Sequence, residues 1–338
     1  GIIDIHCLPQ ELGLIEDNMV LVSPDLEDGV SVALSAMGSE GNLLNGFLSG
    51  SYPPDIYRIT GNIKVAIGDT VNLLPGTEFL FDGVYDFKIN GVLKAQGTEQ
   101  DSIIFDNYAD EKWEGFTLES VTDETIFEYV RISGADKGNG GGMNLYGSSP
   151  ILTNVVISRN FGGAGGGIAL SSIWFIDSLH VSSPILTNVT ISDNTAYSCG
   201  GMLIWSSDPT FINVTVSRNQ AIDAVYSEGG GICFWGTLNE RSFSNMTISE
   251  NTADYGGGIS VGGNCVIGIT NATISRNTAI NGGGIGILFG GNNFYLANTI
   301  IWDNYPEAIN FSTYGEYSTE NNNLDIFYSN IEGGEEGI

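Results

Sequence analysis

The sequence has few positive charges and no long hydrophobic run. It carries 11 Lys+Arg against 40 Asp+Glu, which gives a formal net charge of -29 over 338 residues. A chain this acidic lacks the basic stripe that binds a phosphate backbone, so we exclude nucleic acid as a partner. Its charge also disfavours binding to anionic lipid. No apolar segment approaches the ~20 residues that span a bilayer, so we expect no direct membrane insertion. Hydrophobic residues still make up 42% of the chain, which excludes a disordered acidic tail.

Cysteine and histidine are also scarce. The chain has 4 Cys and 2 His, and their spacing matches no zinc motif, so zinc, haem and Cys/His nucleophile chemistry are disfavoured. Cys199, Cys233 and Cys265 fall at different positions of the repeat described below, so we expect buried thiols rather than disulfides between stacked turns. Cys7 has no assigned position. The chain opens at Gly1 without a basic-then-apolar leader, which is compatible with a secreted protein whose signal has been removed.

Glycine and asparagine, in contrast, recur regularly through the second half of the chain. Gly is 47 of the 338 residues, about twice its average usage. Glycine-rich starts recur about every 25–35 residues, at 140–143, 165–168, 199–202, 229–232, 256–259 and 282–285, with a degenerate copy at 306–309. Each repeat also holds a motif like Asn-Val-Thr-Ile-Ser-Arg-Asn, at 154–160, 188–194, 213–219, 245–251, 271–277 and, more loosely, 298–304.

Each repeat contains short alternating apolar runs, and none has a helical pattern of ~10 residues or more. A unit of ~25 residues with about three short strands cannot bury its apolar face alone, whereas stacked units can, so the pattern predicts a solenoid. Asparagine suits the corners of such a fold. It tolerates the left-handed backbone conformation, and its amide can hydrogen-bond to the same asparagine one turn away.

On these residues the sequence resembles the right-handed parallel β-helix proteins of the pectate-lyase-like superfamily. The pairing of Gly-Gly-x-Ile with a downstream Asn is also similar to the repeats of chlamydial polymorphic outer-membrane proteins, although Ile here replaces their usual Phe. The resemblance covers residues 138–331 and implies an all-β fold, a right-handed parallel β-helix (solenoid) of about ten rungs. It specifies function poorly, because such folds include lyases, hydrolases, adhesins and tail spikes.

We divide the chain at residue 59. Residues 1–58 lack the repeat and are interpreted as an N-terminal cap, or the remnant of a preceding segment, that covers an open sheet edge. Residues 59–338 form the predicted β-helix, with irregular rungs over 59–137 and regular Gly/Asn repeats over 138–338. Strands of the irregular rungs are predicted at 62–65, 70–73, 78–81, 87–90, 93–96, 103–106, 113–118, 125–128 and 130–133.

Stacking turns equivalent repeat positions into columns along the solenoid. After each glycine run, Met143, Leu145 and their equivalents should point inward, and Asn144, Tyr146 and their equivalents outward. The outward set from Asn144 to Ser312 contains no Asp, Glu, Lys, Arg or His, whereas the resemblance implies that the enzymes carry catalytic groups on this face. The sequence therefore favours a non-catalytic extracellular or cell-surface protein, secreted or surface-attached, that binds a glycan (polysaccharide) or a surface partner protein.

Two other functions stay open. One is a polysaccharide lyase or glycoside hydrolase whose active site is carried by loops, with candidate carboxylates at Asp208, Asp223, Glu228, Glu240 and Asp254. The other is a structural stalk or filament subunit.

The candidate binding residues are aromatic. Trp205 and Trp235 share one outward column on successive turns, and Tyr146 lies in it two turns earlier, so their rings should line one platform. Trp174 lies on the insertion 172–183, which emerges from the turn between those of Tyr146 and Trp205. This insertion forms either a wall of the platform or a cover over it. Exposed aromatic faces suit the apolar C–H faces of sugar rings. We therefore predict a glycan site at Tyr146, Trp205, Trp235 and Trp174.

Charged residues predict two further features. No cofactor is expected apart from calcium, for which Asp106 and Asp110 in the most acidic loop are the candidate ligands. The residue before the second Asn of each motif alternates in sign along the repeats, so opposite charges should lie side by side on successive turns. This predicted ladder runs Arg159, Asp193, Arg218, Glu250, Arg276 and Asp303.

Overall fold

A computed structural model describes residues 13–21, 30–38, 42–175, 178–223, 226–236, 240–312 and 322–334. The chain divides into two units, Gly1–Leu43 and Leu44–Ile338. In the first unit, strands Gly13–Leu21 and Val30–Gly38 pair as an antiparallel hairpin. The interpretation of residues 1–58 as a cap stays a prediction.

The second unit is a parallel β-solenoid of about ten turns, and its described residues contain no α-helix. This confirms the predicted all-β parallel β-helix. The strands of each turn enter three parallel sheets, because short alternating runs separated by tight bends can bury one face only against the turns above and below. The first sheet contains Asn42–Phe47, Ile56–Val65, Phe87–Ile89, Phe116–Glu119, Met143–Tyr146, Ile168–Ser171, Met202–Trp205, Ile232–Trp235, Ile259–Gly262, Ile285–Leu288 and Ile309–Ser312.

Three long strands bend and serve more than one sheet. The second sheet contains Gly50–Tyr52, Thr70–Leu73, Val92–Gln96, Ile126–Ser133, Ile151–Ser158, Ile185–Thr187 and Thr210–Ile212. Beyond it along the chain, Arg241–Ser244, Val266–Thr270, Asn293–Ala297 and Asn323–Phe327 pair as a separate four-stranded sheet. The third contains Ile56–Val65, Glu78–Phe81, Ile103–Asn107, Ile126–Ser133, Ile151–Ser158, Thr190–Ser192, Val214–Ser217, Met246–Ser249, Thr273–Ser275, Ile300–Trp302 and Asn330–Ile331. A short fourth sheet, placed just before the glycine runs, contains Asp136–Asn139, Phe161–Ala164, Thr195–Ser198 and Gln220–Ala221.

The irregular turns follow the predicted strands closely. Thr70–Leu73 has the predicted bounds, and Val92–Gln96 begins one residue earlier than predicted. Stacking itself begins before residue 59, because Gly50–Tyr52 already pairs with Thr70–Leu73. Pro53 and Pro54 therefore lie between two strands of the solenoid, Gly50–Tyr52 and Ile56–Val65.

The predicted inward columns form a continuous core. Met143, Leu145 and their equivalents on the following turns are buried as far as Ile287. The irregular turns fill the same space with aromatic rings, as in the stacked pair Phe81 and Trp113, whose centroids lie 4.1 Å apart. Phe311 continues an inward column but is 36% exposed. In the part of the chain that the structure describes, its strand is the last of the first sheet, so no further turn covers it.

A ladder of buried asparagines runs along one corner of the solenoid, as the sequence predicts. The Nδ2 of Asn194 donates to Oδ1 of Asn219 at 3.0 Å, and the backbone N–H of Asn194 donates to the same oxygen at 3.0 Å. The same Nδ2 also donates to the carbonyl of Ile157 on the preceding turn. This pattern of side-chain bonds repeats along Asn160, Asn194, Asn219, Asn251, Asn277 and Asn304.

The sharp backbone turns belong to different residues from the buried ladder. The first asparagine of each motif has a positive φ, for example 57° at Asn213, and so does the residue before the second asparagine, for example 54° at Arg218. Asn213 is exposed, and its Nδ2 donates to Oδ1 of Asn188 at 2.8 Å. Two asparagine columns therefore have separate roles: the exposed one turns the chain, and the buried one satisfies backbone groups inside the bend.

The alternating charge ladder is confirmed as one exposed line. Its six members lie at equivalent positions, all with positive φ and all exposed. Arg218 pairs with Asp193 at 2.8 Å and Arg276 with Glu250 at 3.0 Å. Hydrogen bonds from Arg218 lower the pKa of Asp193. Arg159, at the start of the line, pairs instead with Asp106 at 3.6 Å.

Half of the predicted outward set is not exposed, which corrects the sequence analysis. Asn144, Ala169, Leu203, Cys233 and Ser260 are all buried. The first residue of each glycine run has a left-handed backbone conformation, and the chain reverses there. This residue therefore lies directly over the strand that follows the same glycine run. A Cβ added at Gly140 would come within 2.8 Å of the Cα of Asn144. The second outward position is at least partly exposed at Tyr146, Ser171, Trp205 and Trp235, whereas Gly262 and Leu288 at the same position are buried.

The expectation of unpaired thiols is wrong for two cysteines. Cys199 and Cys233 form a disulfide with Cα atoms 5.3 Å apart. Cys199 occupies the left-handed bend position that glycine fills on the next turn, where a Cβ on Gly229 would lie 2.4 Å from the Sγ of Cys233. The bend thus brings two different columns together across neighbouring turns. Cys265 is buried and not disulfide-bonded, and Cys7 lies outside the described residues.

We expect replacement of Asn219 by Ala to lower the free energy of unfolding by about 2–5 kcal/mol, measured by urea denaturation. The substitution removes the acceptor of the Asn194 backbone N–H and the donor to the Ile191 carbonyl, both inside the bend, and each buried unpaired group costs about 1–3 kcal/mol. Asn213→Ala is the control, since it loses an exposed contact and pays about 1 kcal/mol for its left-handed backbone. Equal losses in the two variants would contradict the role of the buried ladder.

We expect Arg218→Glu to destabilise the chain by about 1 kcal/mol at low salt and by less than half of that in 1 M NaCl. The variant replaces an attractive pair with repulsion from Asp193, and Coulombic screening weakens both effects. Arg131→Glu is the control, because this exposed arginine lies between Ile104 and Val156 in register. A loss at Arg218 that does not change with salt would show that the ladder has no electrostatic role.

Candidate functional site

The structure brings two of the predicted aromatic residues together around a cavity of about 390 Å³. Tyr146, Ser171 and Trp205 are register neighbours at the ends of three successive strands of the first sheet. Because Ser171 is small, the two rings flank a slot between backbones that lie about 9–10 Å apart, two strand spacings. We call this slot the aromatic groove; it is lined by Asn139, Tyr146, Ser171, Ser172, Leu179, Trp205 and Ser206.

The same local motif orients both aromatic residues. Each ends its strand and is followed by a residue with positive φ, 51° at Gly147 and 47° at Ser206. The next serine then folds back, so that the hydroxyl of Ser148 donates to the Tyr146 carbonyl at 2.9 Å and that of Ser207 to the Trp205 carbonyl at 2.8 Å. These turns stop the strand and leave the ring at its edge. Trp205 is 58% exposed.

The insertion after Ser171 forms a wall of the groove. Strands Ile173–Phe175 and Ser178–His180 pair as an antiparallel hairpin. Leu179 of this hairpin lines the groove and also a neighbouring cavity of about 630 Å³, which includes His180 and Asp123. The hairpin therefore separates two concave surfaces on the same side of the solenoid.

Trp235 and Trp174 are not part of the groove as described. Trp235 is the register neighbour of Trp205, but it is half-buried and packs against Phe289, with ring centroids 5.5 Å apart. Phe289 lies over Gly262, whose missing side chain leaves room for the ring. The side chain of Trp174 lies outside the described residues. Glycan contact by Trp235 and Trp174 stays a prediction.

Charged side chains extend the site toward the irregular turns, and the sequence analysis missed them. Glu119 is the register neighbour of Tyr146 on the preceding turn. Lys88 donates to it at 2.8 Å and Asn90 at 3.2 Å. Burial raises the pKa of Glu119, but these hydrogen bonds outweigh burial and leave the pKa below its ordinary value. Continuing the outward columns through the predicted strand 87–90 would have found Lys88 and Asn90, whereas Glu119 lies one residue beyond the predicted strand 113–118.

A partly buried lysine lies beside the same columns. Lys137 donates to the hydroxyl of Thr117, the register neighbour of Asn144. Asn144 in turn donates to the hydroxyl of Tyr146 at 2.9 Å, and its buried Oδ1 has no hydrogen-bond partner among the described residues. Burial lowers the pKa of Lys137, an effect that Asp86 opposes. A polar chain from Lys137 to Tyr146 thus borders the aromatic groove.

The loop carboxylates proposed for an enzyme lie in different surroundings, and Asp223 among them is exposed. Asp208 pairs with Arg241 at 3.2 Å, and Asp254 accepts a hydrogen bond from the backbone N–H of Ser227 at 3.1 Å. Glu240 is exposed. Glu228 differs from these residues, because its carboxyl is mostly buried and lines a separate cavity.

The surroundings of Asp106 and Asp110 give little support to the calcium hypothesis. Asp106 pairs with Arg159 at 3.6 Å and accepts the backbone N–H of Asn107 at 2.9 Å, and Asp110 is exposed. Across the described ranges, no group of three or more His, Cys, Asp and Glu side chains is placed to hold a metal ion. Calcium binding at Asp106 and Asp110 stays untested.

Comparison with known proteins adds one weak likeness. No known protein family matches the chain, and no curated protein matches it. A solved structure of an alginate lyase from Paenibacillus sp. is similar at 13% identity, over 81% of this chain and 99% of that chain, with a TM-score of 0.25. A TM-score of this size supports no conclusion about the fold or the function of this chain. Within the described residues, no helix is long and apolar enough to cross a membrane.

Proposed function

We propose that this protein is a glycan-binding parallel β-helix that recognises a polysaccharide in the aromatic groove. The observation that carries the proposal is the slot between Tyr146 and Trp205, with Ser171 as its floor. A sugar ring offers apolar C–H faces to aromatic rings and hydroxyls to polar neighbours. The groove supplies both, since serine hydroxyls and Asn139 line it between the rings.

The dimensions and position of the groove favour a carbohydrate over a flat protein partner. Its volume of about 390 Å³ falls in the range of small-ligand pockets, about 300–1,000 Å³. The groove is concave and walled by the hairpin, whereas protein interfaces of standard size need about 800 Å² on each partner. A surface partner protein is therefore the less favoured ligand.

The disulfide supports a location outside the cytoplasm. Disulfides persist in oxidising compartments and are rare in the cytosol of most organisms. Cys199 and Cys233 join neighbouring turns of the solenoid, close to the half-buried Trp235. We therefore propose a secreted or cell-surface protein.

We expect Trp205→Ala and Tyr146→Ala each to weaken binding of the best ligand from a glycan array by about 10- to 30-fold, as for aromatic residues at the centre of an interface. Trp302→Ala is the matched control, because Trp302 is 47% exposed on the third sheet, away from the groove. Circular dichroism would confirm that all three variants keep the fold.

Two outcomes would overturn the proposal. One is a glycan array without any ligand for the full chain. The other is a ligand whose affinity falls equally in the Trp302 variant, which would indicate nonspecific aromatic contact.

A polysaccharide lyase is the second candidate, and one observation favours it. Lys137 has a lowered pKa and borders the groove through Thr117, Asn144 and Tyr146. Burial that lowers the pKa of a lysine favours its neutral form, which can accept a proton. An assay for unsaturated products and new reducing ends, on a polysaccharide panel with and without calcium, tests this function. Turnover that is lost in Lys137→Met would support it, and absence of turnover on every substrate would exclude it.

A further inference from the structure

A third cavity, separate from the aromatic groove and from the cavity on the other side of the hairpin, lies further along the solenoid. It has a volume of about 190 Å³ and is lined by Tyr226, Glu228, Tyr255, Leu288 and Phe289. Three different turns supply these residues, so the cavity is a product of the stacking. A water molecule occupies about 30 Å³ in the liquid, so the space suits a small organic head group.

The repeat geometry fixes the walls of this cavity. Glu228 and Tyr255 form an isolated parallel β-bridge on neighbouring turns. The rings of Tyr226 and Tyr255 lie 6.2 Å apart with an angle of 37° between their planes. Phe289 also lines the cavity, and its ring lies over Gly262 and against Trp235. Three aromatic rings and one carboxyl group therefore line the same cavity.

The carboxyl of Glu228 has no cationic partner in the part of the chain that the structure describes. It accepts a hydrogen bond from the hydroxyl of Ser260 at 3.1 Å, and no Lys, Arg or His nitrogen lies within 4.0 Å. Burial raises its pKa to about 7, and the Ser260 hydrogen bond only partly opposes this. A buried carboxylate without a counter-ion is costly, so a cation that enters the cavity would offset that cost.

We propose that this cavity binds an alkylammonium head group, with Glu228 as its counter-ion and Tyr226, Tyr255 and Phe289 as an aromatic cage. Aromatic faces attract such cations through their quadrupole, most strongly where water is excluded. The net charge of -29 also raises the local concentration of cations around the protein. The proposal does not depend on glycan binding in the aromatic groove.

Other ligand classes fit the cavity less well. A divalent metal ion prefers six or more oxygen ligands, and the cavity offers a single carboxyl group. An anion would be repelled by ionised Glu228, and a neutral ligand would gain no attraction from its charge. An alkylammonium ion satisfies the carboxylate and the three rings together.

Titration calorimetry of the full chain with choline and with tetramethylammonium tests the proposal. We expect both to bind, and 3,3-dimethylbutanol, the neutral analogue of choline, to bind at least tenfold more weakly. Since only ionised Glu228 attracts the cation, affinity should rise about tenfold between pH 6 and pH 8. The other titratable groups beside the carboxyl are Tyr226 and Tyr255, with Asp254 on the neighbouring backbone.

Glu228→Gln is the decisive variant, because it keeps the shape and the bond to Ser260. We expect it to lose at least tenfold in choline affinity together with the pH dependence. Glu240→Gln, at an exposed carboxylate, is the matched control and should bind as the parent does. Tyr226→Leu, at a ring that is 45% exposed, provides a second variant should Glu228→Gln fail to fold, and it should also weaken binding.

A separate experiment distinguishes a head group that belongs to a lipid from one that belongs to a soluble amine. Co-sedimentation with phosphatidylcholine vesicles, absent for Glu228→Gln, would assign it to a lipid, whereas binding of choline without vesicle binding would assign it to a soluble amine. The proposal is wrong if choline and tetramethylammonium do not bind, if dimethylbutanol binds equally well, or if Glu228→Gln leaves the affinity unchanged.

Discussion

The buried asparagine ladder is the constraint on which the rest of the solenoid depends. Each bend between the third sheet and the glycine run would otherwise enclose backbone groups that water cannot reach. One asparagine amide per turn pairs these groups. The Oδ1 of Asn219 accepts a hydrogen bond from the backbone N–H of Asn194, and its Nδ2 donates one to the Ile191 carbonyl. Because the bonds run from turn to turn, they also fix the vertical register. The alignment of every column described above, and of the residues that line the cavities, therefore depends on these bonds.

Cavities form on the first sheet where side chains in these aligned columns change size. A regular column would cover the first sheet evenly. Ser171 between Tyr146 and Trp205 opens a slot, and Gly262 between Trp235 and Leu288 admits the ring of Phe289. The overlying bends restrict this variation to the second outward position, since the first one is buried on every regular turn from Asn144 to Ser260. The exposed side chains of this face therefore form a narrow strip along the strand ends.

The sequence predicts the fold well because its signals are periodic. The inward columns, the corner asparagines and the alternating charges each repeat, so errors at one turn are corrected by the others. Prediction from the sequence fails where a residue contacts a residue of a different column, because the repeat pattern does not specify such contacts. Cys199 and Cys233 belong to different columns and meet because a left-handed bend folds one over the other. Glu119 and Lys88 escaped notice because they lie on turns without the glycine signature, and the packing of Phe289 on Trp235 depends on a loop that no repeat specifies.

The charge ladder has a consequence for how such a chain can change its length. Opposite charges face each other at Asp193 and Arg218, and again at Glu250 and Arg276. Deletion or duplication of a single turn within this line places two charges of the same sign next to each other, whereas a change of two turns preserves the alternation. The solenoid is therefore built to gain or lose turns in pairs, with a period twice that of its backbone.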